Sequence, residues 1–131
     1  MTARDGARGD FRSAYRHGLL RVAACTLRTA IGDPPANAAS VLRVGRECAD
    51  EGVGLAIFPE LTLSGYSIED ILLQDTLLDS VERALATVVA GSGDLLPVLV
   101  VGLPFRYRHR ILNVAAVVHR GRLLGLAPKS Y

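Results

Sequence analysis

Apolar residues recur along this chain in two rhythms, and the switch between them marks the elements. Leu20-Arg21-Val22-Ala23-Ala24-Cys25-Thr26 is mostly apolar and reads as a short buried strand. Asp33-Pro34-Pro35 then looks like a helix entrance, because Asp33 can cap and proline is tolerated where the first-turn N–H has no intrahelical partner. Ala38, Val41, Leu42, Gly45, Cys48 and Ala49 follow in steps of three and four, which keeps one helix face inward until Gly52. Gly54 to Phe58 is a second strand, and a loop runs from Glu60 to about Ile71.

The helical rhythm returns from about Asp75 to Ala90, with Leu78, Val81, Ala84, Leu85 and Val88 as its inward stripe. Pro97-Val98-Leu99-Val100-Val101-Gly102 does not alternate at all, so this strand is expected to be buried on both faces. Ile111 to Val118 and Arg122 to Leu126 complete the set, joined by a hairpin at His119-Arg120-Gly121-Arg122. The order β-α-β-α-β-β-β predicts an α/β sheet with packed helices. No repeat or linker interrupts it, and 131 residues give room for one domain. Residues 1–13 read as a polar N-terminal extension and 14–131 as the folded part.

Composition narrows the classes. Half the chain is hydrophobic and 21% is charged, which argues against disorder. A net charge of +2 is weak for a nucleic-acid binder, and no recognition motif accompanies the arginines at 106, 108, 110, 120 and 122. Those side chains read as a solvated edge or a contact surface. No apolar run is long enough to span a bilayer, and the first residues lack a signal peptide's apolar core. The expectation is a cytoplasmic protein with no membrane or nucleic-acid partner. Cys25 and Cys48 match no metal spacing and read as small core residues in a reducing compartment, so no metal is expected.

Two residues stand out chemically. Lys129 is the only lysine; every other cationic side chain is arginine. An ammonium is a compact point charge that a planar guanidinium cannot imitate in a tight site. Glu60 ends the apolar run Leu55-Ala56-Ile57-Phe58-Pro59 and so falls beyond the carboxyl end of a strand, where open α/β sheets bind ligands. Partly desolvated there, its carboxyl is expected to titrate high and to serve as a base. A solvent-facing loop acid or a helix cap fits the same pattern. Lys129 also closes a strand, so the two charges can share one crevice, as a reactive pair or as a structural ion pair.

Phe58-Pro59-Glu60, Leu61-Thr62-Leu63-Ser64-Gly65-Tyr66 and Pro128-Lys129-Ser130-Tyr131 together resemble the nitrilase, or carbon–nitrogen hydrolase, superfamily. Within it, Ser67-Ile68-Glu69-Asp70-Ile71-Leu72-Leu73-Gln74 and Asp94 to Gly102 look like the glutaminase domains of glutamine-dependent NAD+ synthetases. The resemblance implies the N-terminal half of an α-β-β-α sandwich, an incomplete domain. It makes Glu60 the general base, Lys129 the stabiliser of the tetrahedral intermediate and Tyr66 a residue lining the glutamine pocket.

It also implies a nucleophilic cysteine beyond Lys129, past the last residue here, so the chain alone is expected to be inactive and to aggregate or pair with a second copy. L-glutamine is the implied substrate, ammonia for amidating deamido-NAD+ the implied product, and a homo-oligomer the implied full-length assembly. No cofactor is implied for these residues; ATP and Mg2+ go with the separate synthetase domain. Another nitrilase-type amidase, or a non-catalytic remnant or interaction module, are the alternatives.

Overall fold

Helix α1 (Pro34–Asp50) begins where the sequence places its cap: the Asp33 carboxylate accepts from the Ala36 N–H at 3.2 Å, and prolines occupy the first turn. Ala38, Val41, Leu42, Gly45 and Cys48 of its stripe are buried and Ala49 is partly buried, together with a polar residue that the stripe did not include, Asn37. In the computed structural model, which describes residues 13–66 and 74–130, the remaining elements are β1 (Val22–Ala24), β2 (Leu55–Ile57), α2 (Asp75–Gly91), β3 (Val98–Tyr107), β4 (Arg110–His119) and β5 (Arg122–Pro128). Residues 1–12 of the expected extension lie outside the described residues, as do Ser67 to Leu73 of the glutaminase-like stretch and Tyr131.

The five strands form one sheet in the order β1-β2-β3-β4-β5. The first three are parallel, and β4 and β5 return antiparallel as a meander. Leu99, Val101 and Leu103 of β3 pair in register with Val118, Ala116 and Val114 of β4, and all six are buried. They form the core with the inward stripes of both helices. All five residues expected to face inward from α2 are buried. An arginine fork pins the start of α2 to the end of β3. Arg106 donates to Asp75 and to Asp79, each at 2.5 Å.

Three expectations are corrected. β1 is an edge strand rather than a buried one: Val22 is 52% exposed, because only the helix-facing side of the sheet is covered. For the same reason β3 is not buried on both faces, and Val98 and Val100 are half-exposed. β3 also continues five residues past its expected end, through Leu103 to Tyr107, and turns at Arg108 into β4. Pro104 and Arg106 hid this extension. The arginines around 108 therefore sit on a hairpin, with Arg108 at positive φ (54°) and its guanidinium 5.3 Å from the Tyr107 ring centroid. At the expected hairpin, Arg120 and Gly121 both take positive φ (46° and 77°), the twist that suits a tight β-turn.

The chain upstream of β1 is tied down from Ala14 onward. Ala14–His17 makes one 3-10 turn. The Tyr15 hydroxyl donates to the Gly52 carbonyl at 2.6 Å, and Arg21 donates to the Glu51 carbonyl. Among the described residues no helix is long and apolar enough to cross a membrane.

Candidate active site

The bare face of the sheet carries the residues singled out for chemistry. β2 ends at Ile57 and the chain leaves the sheet through Phe58-Pro59-Glu60. The turn that follows is built tightly. Thr62 Oγ1 donates to the Pro59 carbonyl at 2.5 Å, the Leu63 N–H to the Gly102 carbonyl at 3.1 Å, and Leu61 sits at φ 53°. This last is a strained value for a branched side chain. Asn37 of α1 reaches under the turn. Its Nδ2 donates to the Leu63 carbonyl at 3.1 Å and the Ala30 carbonyl at 2.8 Å, while its Oδ1 accepts from the Ala30 N–H at 2.7 Å. The turn lies so close to β3 that a Cβ at Gly102 would fall 2.5 Å from the Pro59 oxygen and 2.9 Å from Glu60 Cα. Only glycine fits there.

Lys129 arrives from the other side. The pairing of Val114 with Pro128 puts Lys129 beside Asn113, and the Lys129 N–H donates to the Asn113 carbonyl at 2.8 Å. Its ammonium reaches Glu60 Oε1 at 3.0 Å, although the two residues are 69 positions apart. The same Oε1 accepts a second bond, from Nδ2 of Asn113. Around this cluster opens a crevice of about 280 Å³, floored by Ile57, Val100, Gly102, Ala115 and Ala127. Glu60 and Lys129 are the charged side chains in its lining.

The Glu60 carboxyl titrates below its ordinary 4.5, first because Lys129 donates to it and next because Asn113 does, while partial burial opposes the shift. This corrects the expectation of a raised value. The carboxylate is 39% exposed and the lysine side chain 46%, so desolvation is too slight to outweigh two donors. Glu60 is therefore ionised across the neutral range and ready to accept a proton.

Tyr66 does not join the cluster. It is 68% exposed and is not among the residues lining the crevice. Neither cysteine lines the crevice either. Their sulfurs instead meet in the core at 3.9 Å as free thiols. The Cys25 thiol is pushed up to about 11, chiefly by burial and then by Cys48, so it stays protonated and unreactive at neutral pH. Sequence reasoning missed Asn113, Asn37 and Gly102. Asn113 carried a usable signal: it is the single polar residue in the run from Ile111 to Val118.

No family model matches the chain. It is 68% identical over 122 residues, 93% of its length, to the glutamine-dependent NAD(+) synthetase of Mycobacterium tuberculosis, and it spans 18% of that relative. The structure of glutamine-dependent NAD+ synthetase from Acinetobacter baumannii, in complex with ADP, superposes with a TM-score of 0.78 at 28% identity, covering 86% of this chain and 21% of that one. A nitrilase-superfamily amidase from Nesterenkonia sp. shares the fold, with a TM-score of 0.70 at 22% identity over 86% of this chain and 43% of the amidase.

Proposed function

Because this chain is kin to the N-terminal part of the glutamine-dependent NAD+ synthetases, we propose that it forms the base-and-lysine half of a glutaminase site in a longer NAD+-synthesising enzyme. The observation that carries the reading is the meeting of Glu60 and Lys129 at 3.0 Å in a crevice on the bare sheet face. The 68% identity to a glutamine-dependent synthetase, against 22% to an amidase, favours glutamine over a short aliphatic amide.

In this reading a cysteine from the region beyond the match lies over the crevice. Glu60, kept ionised by its two donors, takes the thiol proton as the sulfur bonds to the carboxamide carbon of L-glutamine. The carbonyl π electrons move onto oxygen, and the Lys129 ammonium stabilises that charge. Collapse breaks the C–N bond, and the amine leaves as ammonia with the proton that Glu60 returns. Water then attacks the thioester with Glu60 again as base, releasing glutamate and the free thiol. The ammonia amidates deamido-NAD+ in a separate synthetase domain, to which ATP and Mg2+ belong. Tyr66 stands as a glutamine contact that a covering segment would have to enclose. A cytoplasmic setting and a homo-oligomeric full-length enzyme belong to the same reading, and residues 1–131 alone have no thiol in the crevice with which to turn over.

Grafting this segment into the Mycobacterium tuberculosis relative, in place of its matching 122 residues, tests the proposal. The chimera is expected to make NAD+ from glutamine. Glu60→Gln or Lys129→Ala should cut glutamine-supported synthesis by about 100-fold or more and leave ammonia-supported synthesis intact. A chimera that prefers short aliphatic amides, or keeps its glutamine activity without Glu60, would overturn it.

A further inference from the structure

Strand β4 is apolar from Ile111 to Val118 except at Asn113. Asparagine is disfavoured in strands, and its amide needs partners when half-covered. Here the side chain stands on the bare face of the sheet, in the wall of the crevice, among the small residues Gly102, Ala115 and Ala127. We infer that Asn113 is the positioning residue of the Glu60–Lys129 pair, a role that rests on the glutaminase reading above.

Two contacts carry the inference. The Asn113 side chain donates through Nδ2 to Glu60 Oε1, and its main-chain carbonyl accepts the Lys129 N–H at 2.8 Å. One residue thus holds the acid through its side chain and the backbone of the lysine through its own main chain. Both the amide and the ammonium donate to Oε1, so in this reading Oε2 is the atom that takes and returns the thiol proton. Without the amide, the carboxylate keeps its ion pair but loses the second bond that sets its angle.

The residue type matters. Aspartate at the same place would set a second carboxylate against Glu60, raise its proton affinity and compete for Lys129. Glutamine would bring the amide in one methylene further. Lys129 is the charged side chain that faces Glu60 across the crevice, so a change in Glu60 titration on altering Asn113 reports on this contact.

The experiment uses the chimera and its Asn113→Ala and Asn113→Asp variants, assayed with glutamine and, separately, with ammonia. Asn113→Ala should lower kcat with glutamine about 10- to 100-fold, the loss of one hydrogen bond to a charged group. KM should change little. The acid limb of kcat/KM should move to higher pH, further for Asn113→Asp, while Asn113→Gln recovers part of the rate. Ammonia-supported synthesis should persist in each, showing that the fold stands.

If Asn113→Ala keeps both kcat and the acid limb while Glu60→Gln is dead, the inference fails and the glutaminase reading survives. An active Glu60→Gln chimera instead removes the glutaminase reading. Should Asn113→Ala also lose ammonia-supported synthesis, the isosteric Asn113→Asp decides: an unmoved acid limb there refutes the role.

Discussion

The two faces of the sheet obey different rules. On the helix-covered face Leu99, Val101 and Leu103 are wholly buried against α1 and α2. On the other face Val22 is 52% and Ile57 42% exposed, and the same face carries Glu60, Asn113 and Lys129. Apolar side chains are therefore not reserved for the covered side. The covered face holds the fold together, while the bare face presents small and apolar residues around a polar cluster. A half-exposed apolar sheet face of this kind marks a surface made for contact. In a two-sheet sandwich it would meet the second sheet, and the crevice would then lie between layers, where an ion pair gains strength from the lower dielectric.

The sharpest way to break this comparison is to truncate matching residues on each face. Leu99→Ala on the covered side should destabilise the chain by about 2–5 kcal/mol, the transfer loss plus the cavity left behind. Ile57→Ala on the bare side should cost at most about 1 kcal/mol and should raise solubility, since it removes exposed apolar surface. Urea unfolding of the two variants beside the parent, with light scattering for association, measures both. Equal destabilisation would mean that the bare face is covered in solution, by a second copy or otherwise.

Much of this architecture is legible in the sequence. Both helices were legible because their apolar residues recur with a period that a strand cannot satisfy. The meeting of Glu60 and Lys129 was suspected because each ends a strand of one sheet, but which atoms touch depends on register, and one residue of slip in β5 would turn Lys129 to the opposite face. The sign of the Glu60 shift is not legible in the sequence. A strand-end position said nothing of the two donors that outweigh burial there. The second half of β3 was hidden by Pro104 and Arg106, residues that weaken a strand signal yet fit beside a hairpin. The approach of Cys25 and Cys48 was not legible at all, since it depends on how α1 seats against the end of β1.

Gly102 links the two faces and gives the next largest effect. It lies in β3 between the core residues Val101 and Leu103, yet its missing side chain makes room for the Glu60 turn. Gly102→Ala would press a methyl onto the backbone at Pro59, Glu60 and Leu61, none of which can swing aside as a flexible side chain could. The expected cost is about 1–3 kcal/mol, accompanied by a displaced Glu60. In the chimera, glutamine-supported synthesis should fall while ammonia-supported synthesis remains. An alanine variant with unchanged stability and glutamine activity would show that the turn is looser than its contacts imply.

The smallest expected effect isolates the bare face from the core. Glu60 has a folded pKa below its unfolded value of 4.5. The ionised form is the one the fold favours, so this contribution is present above the unfolded value and fades as pH falls through the lower folded one. Protonation then removes the charge attraction of Lys129 and weakens the bond from Asn113. Because the pair is largely open to water, the change should be slight and should shrink further with salt. Following the urea midpoint from about pH 6 to about pH 3 in the parent and in Lys129→Ala should give a shallower acid slope in the variant. Parallel slopes would mean that the pair adds nothing to folding, leaving an ammonium held beside a carboxylate for a purpose other than stability.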